Sequence, residues 1–143
     1  MIVVDANMLL YAYDASSAQH AAAKAWFEST MSGSERVGLP VHSLLAFIRI
    51  GTSPSVFQRP LAPAAAISAV QAWIARQQTT IVTPTDRHWE ILERLATAGQ
   101  VRGSAMMDAH LAALTIEHGA NLATTDRGFA RFPGLRFTNP IDR

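Results

Sequence analysis

The chain opens Ile2-Val3-Val4-Asp5-Ala6-Asn7-Met8-Leu9-Leu10-Tyr11-Ala12-Tyr13, and its fold class follows from how this stretch is read. Three β-branched residues in a row favour a short buried strand. Asp5-Ala6-Asn7 then supplies helix-start chemistry, which predicts a short helix over 8–13. The same alternation recurs downstream. Ser16 or Ser17 is placed to cap a helix from Ala18 to about Met31, with an apolar face through Ala22, Ala25, Trp26 and Ser29. A weak strand over 36–40 is closed by Pro40, and a helix is expected over 41–50. Residues 51–62 form the longest irregular stretch, interrupted by Pro54 and Pro60. An Ala-rich helix over 62–77 carries Pro63 in its first turn, where a missing N–H costs little. A strand over 79–84 leads to a helix capped by Thr85 and ended by Gly99. Ser104 caps a helix over 105–118. A fourth strand follows over 121–124, then a helical turn over 129–132 and an edge strand over 135–138. Strands alternating with helices argue for an α/β fold with a mainly parallel sheet of four to five strands.

The 143 residues suffice for one domain, here residues 1–143, and not for two independent cores. Hydrophobic residues make up 49% and charged residues 16%, a globular rather than a disordered composition. The absence of cysteine excludes a disulfide framework, a thiolate zinc site and a cysteine nucleophile. Twelve basic residues face 11 acidic ones for a net charge of +1, so total charge does not announce a nucleic-acid binder. The distribution is uneven. Lys24 is the only lysine, residues 1–35 carry four acids against it, and Arg127, Arg131, Arg136 and Arg143 crowd the C-terminus. Arginine pairs bidentately with phosphate; the bias is equally open to a codon-usage origin. No basic leader or membrane-length apolar run is present, so a cytoplasmic protein without a membrane segment is expected.

In open parallel sheets, ligands sit beyond the carboxyl ends of the strands. The first strand ends in Asp5 and the fourth runs into Thr124-Thr125-Asp126. Asp108 falls in the first turn of a helix. Each acid has a structural role open to it: Asp5 as a helix cap, Asp108 as a partner of the helix dipole, Asp126 in an Asx-turn. All three nevertheless fall on one side of the sheet, where they would raise one another's pKa unless a cation compensated them. Carboxylate oxygens without cysteine suit Mg²⁺ or Mn²⁺. The five histidines form no evident zinc site; His42 and His88 read as isolated, and His20 as lying on a surface helix.

The segments Val3-Val4-Asp5-Ala6-Asn7, Asp108-Ala109-His110-Leu111-Ala112-Ala113-Leu114 and Thr124-Thr125-Asp126-Arg127-Gly128-Phe129 resemble the PIN domain, in particular the VapC toxins of bacterial VapBC toxin–antitoxin modules. The likeness extends over nearly the whole chain, through Phe132-Pro133-Gly134-Leu135-Arg136. It implies a PIN-like three-layer α/β/α sandwich and a Mg²⁺- or Mn²⁺-dependent endoribonuclease that cuts structured RNA, tRNA or rRNA, and so blocks translation. It also implies a homodimer neutralised by a VapB-type antitoxin. The family's metal-binding, catalytic acids carry over onto Asp5, Asp108 and Asp126. Thr124 and Asn7 are implied to support a ligand or a metal-bound water through hydrogen bonds.

The sequence departs from the family at two places. Ala46 stands where a Glu is usual, three residues before Arg49, and Gly128 stands where a second Asp is common. Glu35, Asp86, Glu90 and Glu93 are candidates to substitute, although the sequence places none of them at the rim. Arg49, Arg102, Arg127 and Arg131 are candidates for gripping an RNA backbone, an interaction that weakens with salt. The alternative reading is a PIN-fold protein that binds RNA or a partner with weakened or lost nuclease activity, because of Ala46. A small-molecule phosphohydrolase would need a suitably placed lysine, and Lys24 lies in a surface helix. Tyr11, Tyr13, Trp26, Phe27, Val56 and Phe57 are candidate partner-facing residues, with Trp26 and Phe27 also suited to the core. An antitoxin arginine inserted among the three acids would satisfy them as a metal does.

Overall fold

A computed structural model describes residues 1–142; Arg143, counted above in the basic C-terminus, lies outside the described residues. Five strands form one sheet: β1 (Ile2–Val4), β2 (Val37–Pro40), β3 (Thr79–Val82), β4 (Asn121–Ala123) and β5 (Phe137–Thr138). Their order across the sheet is β3-β2-β1-β4-β5 and every neighbouring pair is parallel. Six α-helices connect them: α1 (Ala6–Tyr13), α2 (His20–Ser32), α3 (Val41–Gly51), α4 (Pro63–Ile74), α5 (His88–Gly99) and α6 (Met106–Glu117). Successive side chains of a strand point to opposite faces, and β1 divides the core accordingly. Val3 packs with Leu95, Leu111, Leu114 and Phe129 on the α5–α6 side. Val4 packs with Met8, Leu9, Leu39 and Phe47 on the side of α1 to α4. The expected α/β/α sandwich is therefore observed, with β5 at one edge of the sheet and β3 at the other.

A parallel sheet gathers the carboxyl ends of its strands along one edge. Helices that feed the next strand run back the other way, so α6 begins at that same edge before leading into β4. Asp5, which follows β1, Thr124, which follows β4, and Asp108, in the first turn of α6, are thereby brought to a common rim.

Several boundaries differ from the expectation, each for a local reason. Ser16 and Ser17 do not cap α2. The Ser16 N–H and hydroxyl both donate to Asp14, and the Ser17 hydroxyl accepts from the Gln19 N–H, so the serines build a turn and the helix starts at His20. The inward residues of α2 are Ala23 and Met31, with Trp26 and Phe27 half-buried; Ala25 and Ser29 face outward. Thr85 accepts from the Arg87 N–H in a turn, which delays α5 to His88. Ser104 lies in a 3₁₀ turn over Gly103–Ala105, so α6 starts at Met106. The helix ending near residue 77 stops at Ile74, and β3 and β4 end at Val82 and Ala123. The helical turn near the C-terminus is a 3₁₀ segment over Arg127–Arg131.

Gly99 is not the left-handed terminator of α5. That conformation falls on Gln100, at φ 53°, while Gly99 lets Phe132 approach to 3.0 Å of where a Cβ would stand. Gly38 plays a similar steric part at the centre of the sheet. A Cβ there would meet Val82 Cγ2 at 2.6 Å and Met1 Sδ at 2.8 Å. Gly38→Ala is expected to lower stability by about 1–3 kcal/mol through overpacking. Urea denaturation measures this, and an unchanged midpoint would contradict the packing described.

Candidate active site

Asp5 caps α1, its Oδ1 accepting the Ala6 N–H at 2.7 Å. Its other oxygen, Oδ2, accepts the Thr124 hydroxyl at 2.7 Å. The pairing of β1 with β4 makes this possible: Val4 is opposite Ala123, so the next residue on each strand is Asp5 and Thr124. The buried Thr124 hydroxyl also accepts from the Asp126 N–H at 3.0 Å and from Asn7 Nδ2 at 3.3 Å. One hydroxyl thus ties together the cap of α1, the first turn of α1 and the loop after β4. Asn7 Oδ1 is left buried without a hydrogen-bond partner. Asp126 is oriented by its own loop, its Oδ1 accepting the Gly128 N–H at 2.8 Å. A Cβ at Gly128 would come within 2.9 Å of that oxygen, so the glycine makes room for the turn.

The electrostatics link the three acids. The pKa of Asp5 is raised chiefly by burial and further by Asp108 and Asp126, against hydrogen bonds from Thr124 and Ala6 that lower it. Burial also raises Asp108, followed by Asp126, while His42 and Arg131 lower it. Like charges at one rim therefore oppose full ionisation. Among the described residues, no three Asp, Glu or His side chains close around a single ion position. The acids share a rim and an electric field without forming a tight cage.

The remaining candidates are dispersed. Arg131 is the arginine whose charge reaches Asp108, and its Nε donates to the Gly99 carbonyl at 3.1 Å. Arg127 pairs with Asp142 at 3.3 Å. Arg49 and Arg102 are exposed and make no ion pair among the described residues. Ala46 is buried and opens on a shallow groove with His42, Leu45, Ile48 and Arg49, which holds no carboxylate. Glu35 pairs with the N-terminal amine at 3.6 Å, at the opposite end of β1. Asp86, Glu90 and Glu93 are exposed and are absent from the charges acting on Asp5 and Asp108. None of the four acids takes the place of the usual Glu. Of the candidate partner-facing residues, Tyr13 and Val56 are exposed, whereas Trp26 and Phe27 pack against the core.

The histidines are not isolated. His88 is buried, its Nδ1 2.7 Å from Glu117 Oε2, and its Nε2 lies 3.0 Å from His110 Nδ1. The His42 ring stands perpendicular to that of His110 at a centroid distance of 5.9 Å. Burial, His88 and His42 hold the His110 pKa below its ordinary value, against a smaller raising effect of Glu117. The signal was the spacing of His110 and Glu117, seven residues apart and so on one helix face. His20 is also engaged, its Nδ1 2.9 Å from the Tyr11 carbonyl.

The sequence profile of the PIN domain matches residues 2–135. Ribonuclease VapC37 of Mycobacterium tuberculosis is 42% identical over 140 residues, covering 98% of this chain and 97% of that protein. VapC ribonuclease Mb2897 of Mycobacterium bovis is 39% identical over 142 residues, covering 99% of this chain and 97% of that protein. Among solved structures, VapBC2 of Rickettsia felis bound to promoter DNA aligns with a TM-score of 0.68 at 16% identity, over 97% of this chain and 98% of that one. Mycobacterium tuberculosis VapC20, described as a Sarcin-Ricin loop cleaving toxin, aligns with a TM-score of 0.66 at 22% identity, over 95% and 99%.

The raised carboxyls have a consequence for stability. A carboxyl whose pKa is raised by folding holds protons that the unfolded chain releases. Stability therefore falls as pH rises from the ordinary value of 3.8 through the raised one. Asp108→Asn removes this penalty. The variant is expected to be more stable than the parent at neutral pH in EDTA, with the gap closing as pH falls toward 3.8. Thermal denaturation across that range checks it; a pH-independent gap would contradict the coupling.

Proposed function

The chain belongs to the PIN-domain family and, within it, to the VapC ribonucleases; from that premise we propose that it is a Mg²⁺- or Mn²⁺-dependent endoribonuclease, the toxin of a toxin–antitoxin pair. The observation that carries this reading is the gathering of Asp5, Asp108 and Asp126 at the carboxyl edge of the sheet, where burial and then the neighbouring acids raise the pKa of Asp5 and Asp108, beside the unpartnered Asn7 Oδ1. A divalent cation offsets both. Mg²⁺ keeps several waters and takes only one or two carboxylates directly, which suits acids that share a rim without forming a cage.

Asp5 and Asp108 are the residues to hold the ion, and Asp126 completes the site or orients a water. When bound, the cation supplies Lewis acidity at the phosphodiester and lowers the pKa of water. The chain's own contribution is positional. Ala6 N–H and the Thr124 hydroxyl fix Asp5 through both of its oxygens. Gly128 N–H fixes Asp126. Asn7 is held through Nδ2, so its Oδ1 is available to a water on the ion. Arg131 is the residue best placed to meet a phosphate oxygen near Asp108.

The substrate class is structured RNA, tRNA or rRNA, with inhibition of translation as the outcome. The description of VapC20 as a Sarcin-Ricin loop cleaving toxin supports an rRNA target for a protein of this fold. The partner is a VapB-type antitoxin, supported by the VapBC assemblies among the structural neighbours. A homodimer is supported by exposed apolar side chains: Val41 and Leu45 on α3, and Trp89 and Met107 on the neighbouring helices α5 and α6. No helix among the described residues is long and apolar enough to cross a membrane, in keeping with action in the cytoplasm.

Purified chain is expected to cut total bacterial RNA with Mn²⁺ and to stop in EDTA. Asp5→Asn and Asp108→Asn are expected to lower the rate by at least about 100-fold, the scale on which loss of a key electrostatic group acts. Full activity in either variant would refute the assignment. His42 and Ala46 lie one turn apart on α3, and the charge of His42 reaches Asp108. Ala46→Glu is therefore expected to tighten Mn²⁺ binding in calorimetry. Intact RNA binding without Mn²⁺ binding or cleavage in the parent chain would favour the non-catalytic reading instead.

A further inference from the structure

A second polar system lies against His42, whose charge reaches the rim acid Asp108. Glu117 has a fully buried side chain with both oxygens used: Oε1 accepts the Thr85 N–H at 2.7 Å and Oε2 lies 2.7 Å from His88 Nδ1. The buried His88 passes on to His110 through the 3.0 Å contact of its Nε2 with His110 Nδ1. His110 Nε2 makes no hydrogen bond among the described residues. It is not a buried, unpartnered atom either, so it is open to solvent or ligand. The ring lies on α6, two residues from Asp108, against His42, whose charge reaches that carboxylate.

The direction of this chain follows from elementary donor rules. A carboxylate only accepts, so Glu117 keeps a proton on His88 Nδ1. With one proton per imidazole, His88 Nε2 is then an acceptor. The short contact requires His110 to carry its proton on Nδ1, and the His110 Nε2 lone pair is left over. A carboxylate-fixed imidazole with one free nitrogen is the arrangement that orients histidines for work on a ligand. Packing alone does not call for a buried carboxylate and a buried imidazole on facing helices, since apolar residues of similar size are often no less stable there.

We propose that His110 contacts the substrate complex through Nε2 as acceptor for an O–H donor, with Glu117 and His88 as the positioning residues that fix its tautomer. The donor is a ribose 2′-hydroxyl or a water at the scissile phosphate. This rests on the ribonuclease reading above, while the tautomer itself does not.

The test has two readouts. In the whole chain labelled with ¹⁵N-histidine, at mildly alkaline pH, His110 is expected as the Nδ1–H tautomer. Glu117→Gln and His88→Asn are expected to shift it toward a mixture. An Nε2–H tautomer in the parent chain, or no change in both folded variants, overturns the proposal. Should the variants not fold, the parent spectrum still decides. In the second readout, His110→Ala is compared with the parent on an RNA oligonucleotide carrying a mapped cleavage site, with Mn²⁺. A fall of about tenfold or more is expected for loss of one such hydrogen bond. A fall that disappears when the scissile nucleotide is 2′-deoxy identifies the ribose hydroxyl as donor, and an equal fall on both substrates identifies the water. No fall on either overturns the proposal. If the parent chain cuts no RNA, the ribonuclease reading fails while the histidine spectra still judge the relay.

Discussion

The hydrogen bond from the Thr124 hydroxyl to Asp5 joins residues 119 positions apart, and the geometry of the rim depends on it. It exists only because β1 and β4 are parallel neighbours in one register. A slip of one residue would turn Thr124 to the other face of the sheet. The same hydroxyl holds the Asp126 N–H and Asn7, so the register of two three-residue strands sets the position of an acid, an amide and a loop together.

That constraint works against the charges it gathers. Asp5 is largely withdrawn from water, and its hydrogen bonds from Thr124 and Ala6 do not outweigh that burial and the fields of Asp108 and Asp126. Residues that stabilised only the fold would not be placed so. Carboxyls raised in this way release their protons less readily, so a cation that binds their ionised form couples its binding to proton release. His42 and Arg131 moderate the repulsion at Asp108 without removing it. Arg131 is itself tied to the Gly99 carbonyl at the end of α5, so its position is inherited from packing between α5 and the 3₁₀ segment after β4.

The β–α alternation, the parallel sheet and the three rim acids were legible in the sequence because each rests on local signals: β-branched runs, cap residues and the rule that strand ends gather ligands. The helix starts expected after Ser17, Thr85 and Ser104 were misplaced because serine and threonine serve turns as readily as caps. Gly99 was read as a terminator because glycine favours positive φ, whereas the structure uses it for the approach of Phe132. The histidine chain could not be read from any single segment. His42, His88 and His110 come from three helices, and only packing brings them together. The spacing of His110 and Glu117 marked a shared helix face, but not what lay across from it.

Ala46 is the place where the rim departs from its family, and the electrostatics give the departure a meaning. A fourth carboxylate on α3 would stand on the face that carries His42 and would add to a repulsion already felt at Asp5 and Asp108. Alanine keeps a carboxylate off that face, where Leu45 and Ile48 stand beside His42 and Arg49. The cation-free rim is thereby less strained, and a cation meets fewer anionic ligands. Affinity for the ion and stability without it pull against each other at this one position. In a chain with three rim acids, the orientation imposed by Thr124, Asn7 and Gly128 must carry more of the burden than it would in a chain with four.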